Sequence, residues 1–170
     1  ELIVAEDNNS QEISDYINSI TSIKVIHTHQ DDKGIRKSRS INNAILASNG
    51  EYLIFIDGDC VPYTTFIESH VKLSEKNHIL SGRRINLGNI YSNFIRRGFL
   101  SSSLVEKSFP INIPFMLLDK ASHIEQGIYT QPDGWTYSKL ISKRKRNTNL
   151  LGCNFSCFRS DMLAINGFDE

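Results

Sequence analysis

Cysteine is scarce: Cys60, Cys153 and Cys157 are the three in 170 residues. An odd, thin set excludes the disulfide framework of a small secreted domain and predicts reduced, partly buried thiols in a reducing compartment. Cys153 and Cys157 lie four apart, but no Cys or His partner follows at zinc-finger spacing. Charge of one sign is lacking too. Nineteen basic and nineteen acidic residues cancel, so nothing in the balance marks nucleic acid as the main partner. Long apolar runs are missing. The longest nearly apolar stretch, Phe109 to Leu118, carries Pro110, Pro114 and Asn112 and is too short to span a bilayer. There is no signal-peptide pattern, internal repeat or low-complexity tract. No Gly-rich phosphate loop of the G-x-G-x-x-G or Walker kind is present, which argues against a nucleotidyltransferase. Both ends read as cut, so the expectation is a soluble piece of a longer protein.

What is present is alternation. Leu2 to Ala5 is a short apolar strand, followed by the polar turn Glu6 to Ser10. Gln11 to Ile20 has apolar residues at helical spacing, with Ser10 as N-cap. Ile23 to His27 is a β-branched strand. Ile35 to Ser48 is a second helix, stopped by Asn49-Gly50. Tyr52 to Ile56 is a continuous apolar run, as expected of a strand buried on both faces. Pro62 to Lys76 reads as a helix with proline in its first turn, and Ile79 to Ile85 as a strand. Further on, Ile90 to Val105 reads as helix, and Phe109 to Leu118 as an apolar loop or short helix. Gln131 to Gly134 is a turn, Asn149 to Phe158 a strand, and Asp161 to Ile165 a short helix. This order predicts an α/β fold, a mostly parallel sheet flanked by helices. Such sheets bind ligands beyond the carboxyl ends of their strands. Glu6-Asp7, the loop from His29, and Asp57-Gly58-Asp59 all fall at such ends.

Asp57 and Asp59 flank a glycine directly after an apolar strand. Two poorly hydrated carboxylates repel each other there, and a hard divalent cation such as Mg or Mn relieves that repulsion. Gly58 leaves room for close approach of a ligand. An ordinary Asp/Gly turn is the competing reading of the tripeptide by itself. The EF-hand pattern fails at Val61.

The blocks around it carry a resemblance. Gln30-Asp31-Asp32-Lys33-Gly34-Ile35-Arg36, then Asn42, Ala44 and Ile45, then Gly50 through Cys60, resemble the family 2 glycosyltransferases of the GT-A (Rossmann-like) fold. Gly152-Cys153-Asn154-Phe155-Ser156, Arg159-Ser160-Asp161 and Asn166-Gly167-Phe168-Asp169-Glu170 are similar to the segment shared by galactosyltransferase-like and chondroitin-polymerase-like members. The resemblance spans residues 1–85 and 149–170. It implies a single GT-A domain over 1–170, truncated at both ends. Within it, 1–85 would be a nucleotide-binding half, 86–148 a variable region and 149–170 an acceptor-side segment.

The same resemblance implies roles. Asp57 and Asp59 would meet Mn or Mg, with Asp57 and Gly58 also at the ribose–diphosphate. Glu6 and Asp7 would meet the nucleoside, usually uridine. Lys33, Arg36 and Asn42 would line the nucleotide side, and Gly152 to Asn154 the sugar or acceptor wall. The implied reaction is metal-dependent, inverting transfer of a hexosyl or N-acetylhexosaminyl group from a UDP-linked donor to a glycan or lipid-linked acceptor, in bacterial polysaccharide synthesis. The general base is expected after Glu170, so no catalytic residue is assigned here. Departures stand at Glu6-Asp7-Asn8-Asn9, where members more often have two Asp, Gly and Ser. Ile35 replaces a common Phe, and Ile41 a common Arg. The alternative is a catalytically silent nucleotide- or glycan-binding domain of a larger polysaccharide synthase. The expected location is cytoplasmic, with the inner membrane face as a variant of it. Lys139, Lys143, Arg144, Lys145 and Arg146 would serve an anionic glycan or peripheral membrane contact, or form a solvated loop. Trp135 and Tyr137 would stack on sugar or pack in the core. His27 and His29 flank a strand end as minor metal candidates.

Overall fold

The computed structural model describes residues 1–129, 134, 135, 139 and 150–170. The chain forms two compact units. One comprises Glu1–Leu53 with Cys157–Glu170, the other Ile54–Ser156.

In the first unit, β1 (Leu2–Ala5) and β2 (Val25–Thr28) pair in parallel, with Leu2 opposite Val25 and Ala5 opposite Thr28. A parallel pair needs a crossover, and α1 (Gln11–Ser19) supplies it. Ser10 caps α1 as its periodicity predicts, its Oγ accepting from Ile13 N at 3.4 Å. The buried residue on that helix is Ile17. Next, α2 (Lys37–Ala47) buries Ile45 and Ser40. Arg159 closes its C-terminal end: Nε donates to Ile45 O at 3.2 Å and to Ser48 Oγ at 3.0 Å. A cation on the last carbonyls satisfies orphan acceptors and opposes the helix dipole.

β3 (Tyr52–Ile56) and β5 (Asn154–Phe158) run through the boundary between the units. With β4 (Leu80–Ser81) they form a sheet of order β3-β5-β4. β4 and β5 are antiparallel, Leu80 opposite Ser156. Phe55 stacks on Phe155 at 4.3 Å, and Tyr52 meets Phe158 edge-on at 5.1 Å. The mixed α/β class is as the sequence predicts, with parallel pairing at β1 and β2. The expectation that β3 is buried on both faces is corrected: its residues are half-buried and Ile56 is exposed. Among the described residues β3 stands at one edge of its sheet. After β5, α7 (Arg159–Ala164) ends in a Schellman turn. Gly167 N reaches Met162 O, Asn166 N reaches Leu163 O, and both residues have positive φ.

The second unit continues with α3 (Phe66–Lys72), α4 (Asn89–Arg96), α5 (Ser102–Lys107), α6 (Phe109–Leu118) and a 3-10 turn at Ile124–Gly127. Val105, Phe109, Met116 and Ile124 form its core, with Tyr91, Ile95 and Leu100 packed against them. The single helix expected over Ile90 to Val105 is two. Gly98 adopts φ +73°, and Phe99 N turns back to Phe94 O, another Schellman ending. The stretch from Phe109 is helix despite Pro114, because Pro110 occupies its first turn. Asp119 caps α4 from a distant position in the chain, its two oxygens accepting from Ile90 N and Tyr91 N, each at 3.0 Å. Asp119→Ala should therefore cost about 1–2 kcal/mol, the range for a lost N-cap, read as a lower urea midpoint with an unchanged m-value.

Among the described residues no helix is long and apolar enough to cross a membrane. The expected turn at 131–133, Tyr137 and the basic residues 143–146 lie outside the described residues. Trp135 is exposed, not core, and Lys139 Nζ lies 5.0 Å from its ring centre.

Candidate active site

At the end of β1 the acidic pair divides its work. Glu6 is buried; Oε1 accepts from Ser10 N at 3.0 Å and Oε2 meets His27 Nε2 at 2.9 Å. Its carboxylate ties the β1 end to α1 and β2. His27 is thus placed against a carboxylate, and His29 packs tilted against it at 5.5 Å. Asp7 is half-buried and accepts from Arg36 N and Gln30 Nε2, both at 2.5 Å. Those two donors, Arg36 first, hold its carboxyl below the usual 3.8. Arg36 is the N-cap position of α2, so Asp7 lies where a helix terminus favours negative charge. The Arg36 side chain donates through Nη2 to Asp31 O. Its Nε is buried without a hydrogen-bond partner among the described residues. Lys33 is exposed and pairs with Asp31 at 3.2 Å. Asn42 clamps backbone: Oδ1 accepts from Phe168 N at 2.9 Å and Nδ2 donates to Phe168 O at 2.8 Å. A Cβ on Gly167 would overlap that amide, which explains a glycine there.

In the second unit, Asp57-Gly58-Asp59 forms a turn closed by Cys60 N donating to Asp57 O at 3.0 Å. Asp57 is half-buried; Gly58 and Asp59 are exposed. A Cβ on Gly58 or on Gly152 would meet nothing within 4 Å, so both backbones front open space. Cys60 lies beside Asp59, Sγ to Oδ1 3.6 Å. Burial first, then Cys153 and the two aspartates, push its thiol up to about 11. Cys157 is likewise raised to about 11, by burial and then by Asp161. Burial thus keeps both thiols protonated at neutral pH in the metal-free protein.

A cation absent from the sequence expectations acts on this turn. The Arg84 guanidinium holds its proton more firmly than usual, through Cys153 first and then Cys60 and Asp57. The strand expected over Ile79 to Ile85 would have placed Arg84 inside a ladder. The strand instead stops at Ser81, leaving Gly82-Arg83-Arg84 beyond its carboxyl end. An Arg-Arg pair just after an apolar run was the signal that marks such an end.

Asn154 is held on several sides. Its Nδ2 donates to Arg83 O at 3.0 Å, its Oδ1 faces His70 Nε2 at 2.9 Å, and its carbonyl accepts from Gly82 N at 2.9 Å. His70 Nδ1 lies 2.6 Å from Ser156 Oγ. Burial pushes His70 below its ordinary 6.5, partly opposed by the Asn154 bond. The folded protein then binds fewer protons than the unfolded chain once pH drops below about 6.5. Stability from this group is full above that pH and falls as pH descends toward the lower folded value. Phe66, Asn154 and Ser156, the side chains against the ring, carry no charge. Urea midpoints at pH 7.5 and 5.5 should fall further in the wild type than in His70→Gln.

Among the described residues no group of three or more His, Cys, Asp or Glu side chains gathers as a metal cage. The Asp57 and Asp59 turn still fits a divalent cation. Mg and Mn are commonly held by one or two carboxylates and completed by phosphate and water oxygens, and the exposed Asp59 beside the open backbone of Gly58 leaves room for both.

No curated protein matches the chain. The sequence model of glycosyl transferase family 2 matches residues 1–160. That match takes in the Glu6-Asp7 pair, the Gln30 to Arg36 loop, the Asp57-Gly58-Asp59 turn and the Gly152 to Asn154 segment. Members of this family have the GT-A fold and move sugar from nucleotide-sugar donors to acceptors. The chain therefore belongs to glycosyl transferase family 2, and its chemistry is glycosyl transfer.

Proposed function

We propose that the chain transfers a hexosyl or N-acetylhexosaminyl group from a UDP-sugar to a hydroxyl of a glycan or lipid-linked acceptor, with inversion. Asp57 and Asp59 would hold Mn or Mg, which when bound neutralises the departing diphosphate. Asp57, Gly58 and Arg84 contact the ribose–diphosphate side, and Gly152 and Asn154 wall the sugar. Asp7, Lys33 and Arg36 serve the nucleotide, while Glu6 braces the end of β1 against α1 and β2 and Asn42 clamps the Phe168 backbone. The observation that carries this reading is the Asp57 turn: two hard carboxylates beside open backbone. The acceptor oxygen attacks the anomeric carbon as the bond to UDP breaks. Its proton passes to a general base. Aligning donor and acceptor supplies much of the remaining acceleration.

Thermal shift tests the donor and the metal together. UDP with Mn at a hundredfold excess over Kd should raise Tm by about 5–10 °C. GDP should do less, and EDTA should remove the shift. Equal shifts without metal would sink the metal assignment. A second reading, a silent nucleotide- or glycan-binding domain of a larger synthase, draws on Glu6 and Asn42, whose side chains are occupied by protein partners. Nucleotide binding without transfer or hydrolysis of any UDP-sugar by the full-length protein would favour it.

A further inference from the structure

We infer that His70 is a positioning residue, holding the Gly152-Cys153-Asn154 segment opposite the Asp57-Gly58-Asp59 turn. The inference rests on the donor-site reading of that turn. Register comes first. Arg159 N donates to Glu51 O at 2.8 Å, Tyr52 meets Phe158, and Phe55 stacks on Phe155. As β3 runs forward, β5 runs back. Carried past the end of β3, that register brings Cys153 level with Asp57 and Gly152 level with Gly58.

The hydrogen bonds then fix what the segment leans on. Asn154 Nδ2 donates to Arg83 O, so its Oδ1 is the atom presented to His70. Oδ1 only accepts, so His70 Nε2 carries the hydrogen. In the neutral ring Nδ1 is then an acceptor, and the Ser156 hydroxyl donates to it. One tautomer thus satisfies both ring nitrogens, on a side chain only 5% exposed with Phe66 edge-on at 4.7 Å. A Cβ on Gly82 would overlap the Asn154 amide, so the opposite strand leaves that amide no slack. The imidazole spans from α3 to two positions of β5, Asn154 and Ser156. Its rigid ring sets how far the segment stands from the turn.

The test is a series at one position. His70→Gln keeps an N–H at the reach of Nε2 and should restore the Asn154 bond. His70→Asn reaches only toward Ser156, and His70→Leu donates to neither. With a UDP-sugar and Mn, Leu and Asn should raise donor KM about tenfold, the scale of lost supporting contacts around a metal site. The Gln variant should stay within about threefold, and kcat should change less than KM throughout. Amide exchange reads the same contact without activity: His70→Leu should speed exchange at Asn154 and Gly82, and Gln should restore protection. Unchanged exchange and KM in folded Leu or Asn variants overturns the inference, as does a Gln variant no better than Asn. If Leu fails to fold, the Gln and Asn pair still decides. A wild type inactive on every UDP-sugar defeats the proposed function, while the exchange series still judges His70.

Discussion

Asp59→Ala is expected to lower kcat/KM for a UDP-sugar by about 100-fold or more, about 2.7 kcal/mol of transition-state stabilisation. Asp59 is the exposed carboxylate of the turn, and among the described residues its oxygens meet no more than the weak Cys60 thiol bond. Its removal should leave the fold alone: exposed substitutions away from caps and cores usually stay within about 0.5 kcal/mol. The expected pattern is lost activity at an unchanged urea midpoint, with the Mn-dependent part of the UDP thermal shift gone. Asp57→Asn should behave less cleanly, because Asp57 is half-buried. Full activity in Asp59→Ala would end the assignment of this turn to the donor diphosphate and metal.

Gly88→Ala is expected to be the most damaging small change in the second unit. Its new Cβ would overlap the carbonyl oxygen of Asp119 and crowd the carboxylate as well. That backbone cannot swing aside as a flexible side chain would. Moving it withdraws Asp119 from Ile90 N and Tyr91 N, so overpacking and the lost cap of α4 add. Together they should cost about 3 kcal/mol, or about 6–12 °C in Tm for a chain of this length. Gly98→Ala is the control. It has φ +73° but open space around its Cβ position, so only the left-handed backbone cost of about 1 kcal/mol applies. Equal effects at the two glycines would show that steric overlap at Asp119 is not what Gly88 avoids.

Much of the first half was legible because its elements are local. α1 starts where Ser10 predicts, and β3 occupies Tyr52 to Ile56 as read. Misreadings arose where a local turn signal was outweighed or where a distant residue decides. Helix Ile90 to Val105 breaks because Gly98 closes a turn, a signal present in the sequence but outweighed by continuous apolar spacing. The role of Asn42 was not legible at all: its partners are backbone atoms of Phe168, far along the chain. Arg84 was hidden by an overlong strand, since a two-residue ladder ends where its partner strand ends.

By itself the sequence determined the α/β alternation, the polar clusters at strand ends and the carboxylate turn after β3, because hydrophobic period and turn chemistry act over a few residues. Only the tertiary structure decided that Glu6 braces His27 and α1, that Asn42 clamps Phe168, and that His70 holds Asn154. Those are contacts between residues remote in sequence, and a side chain's hydrogen-bond partner is chosen by what packing brings within about 3 Å, which no local pattern encodes.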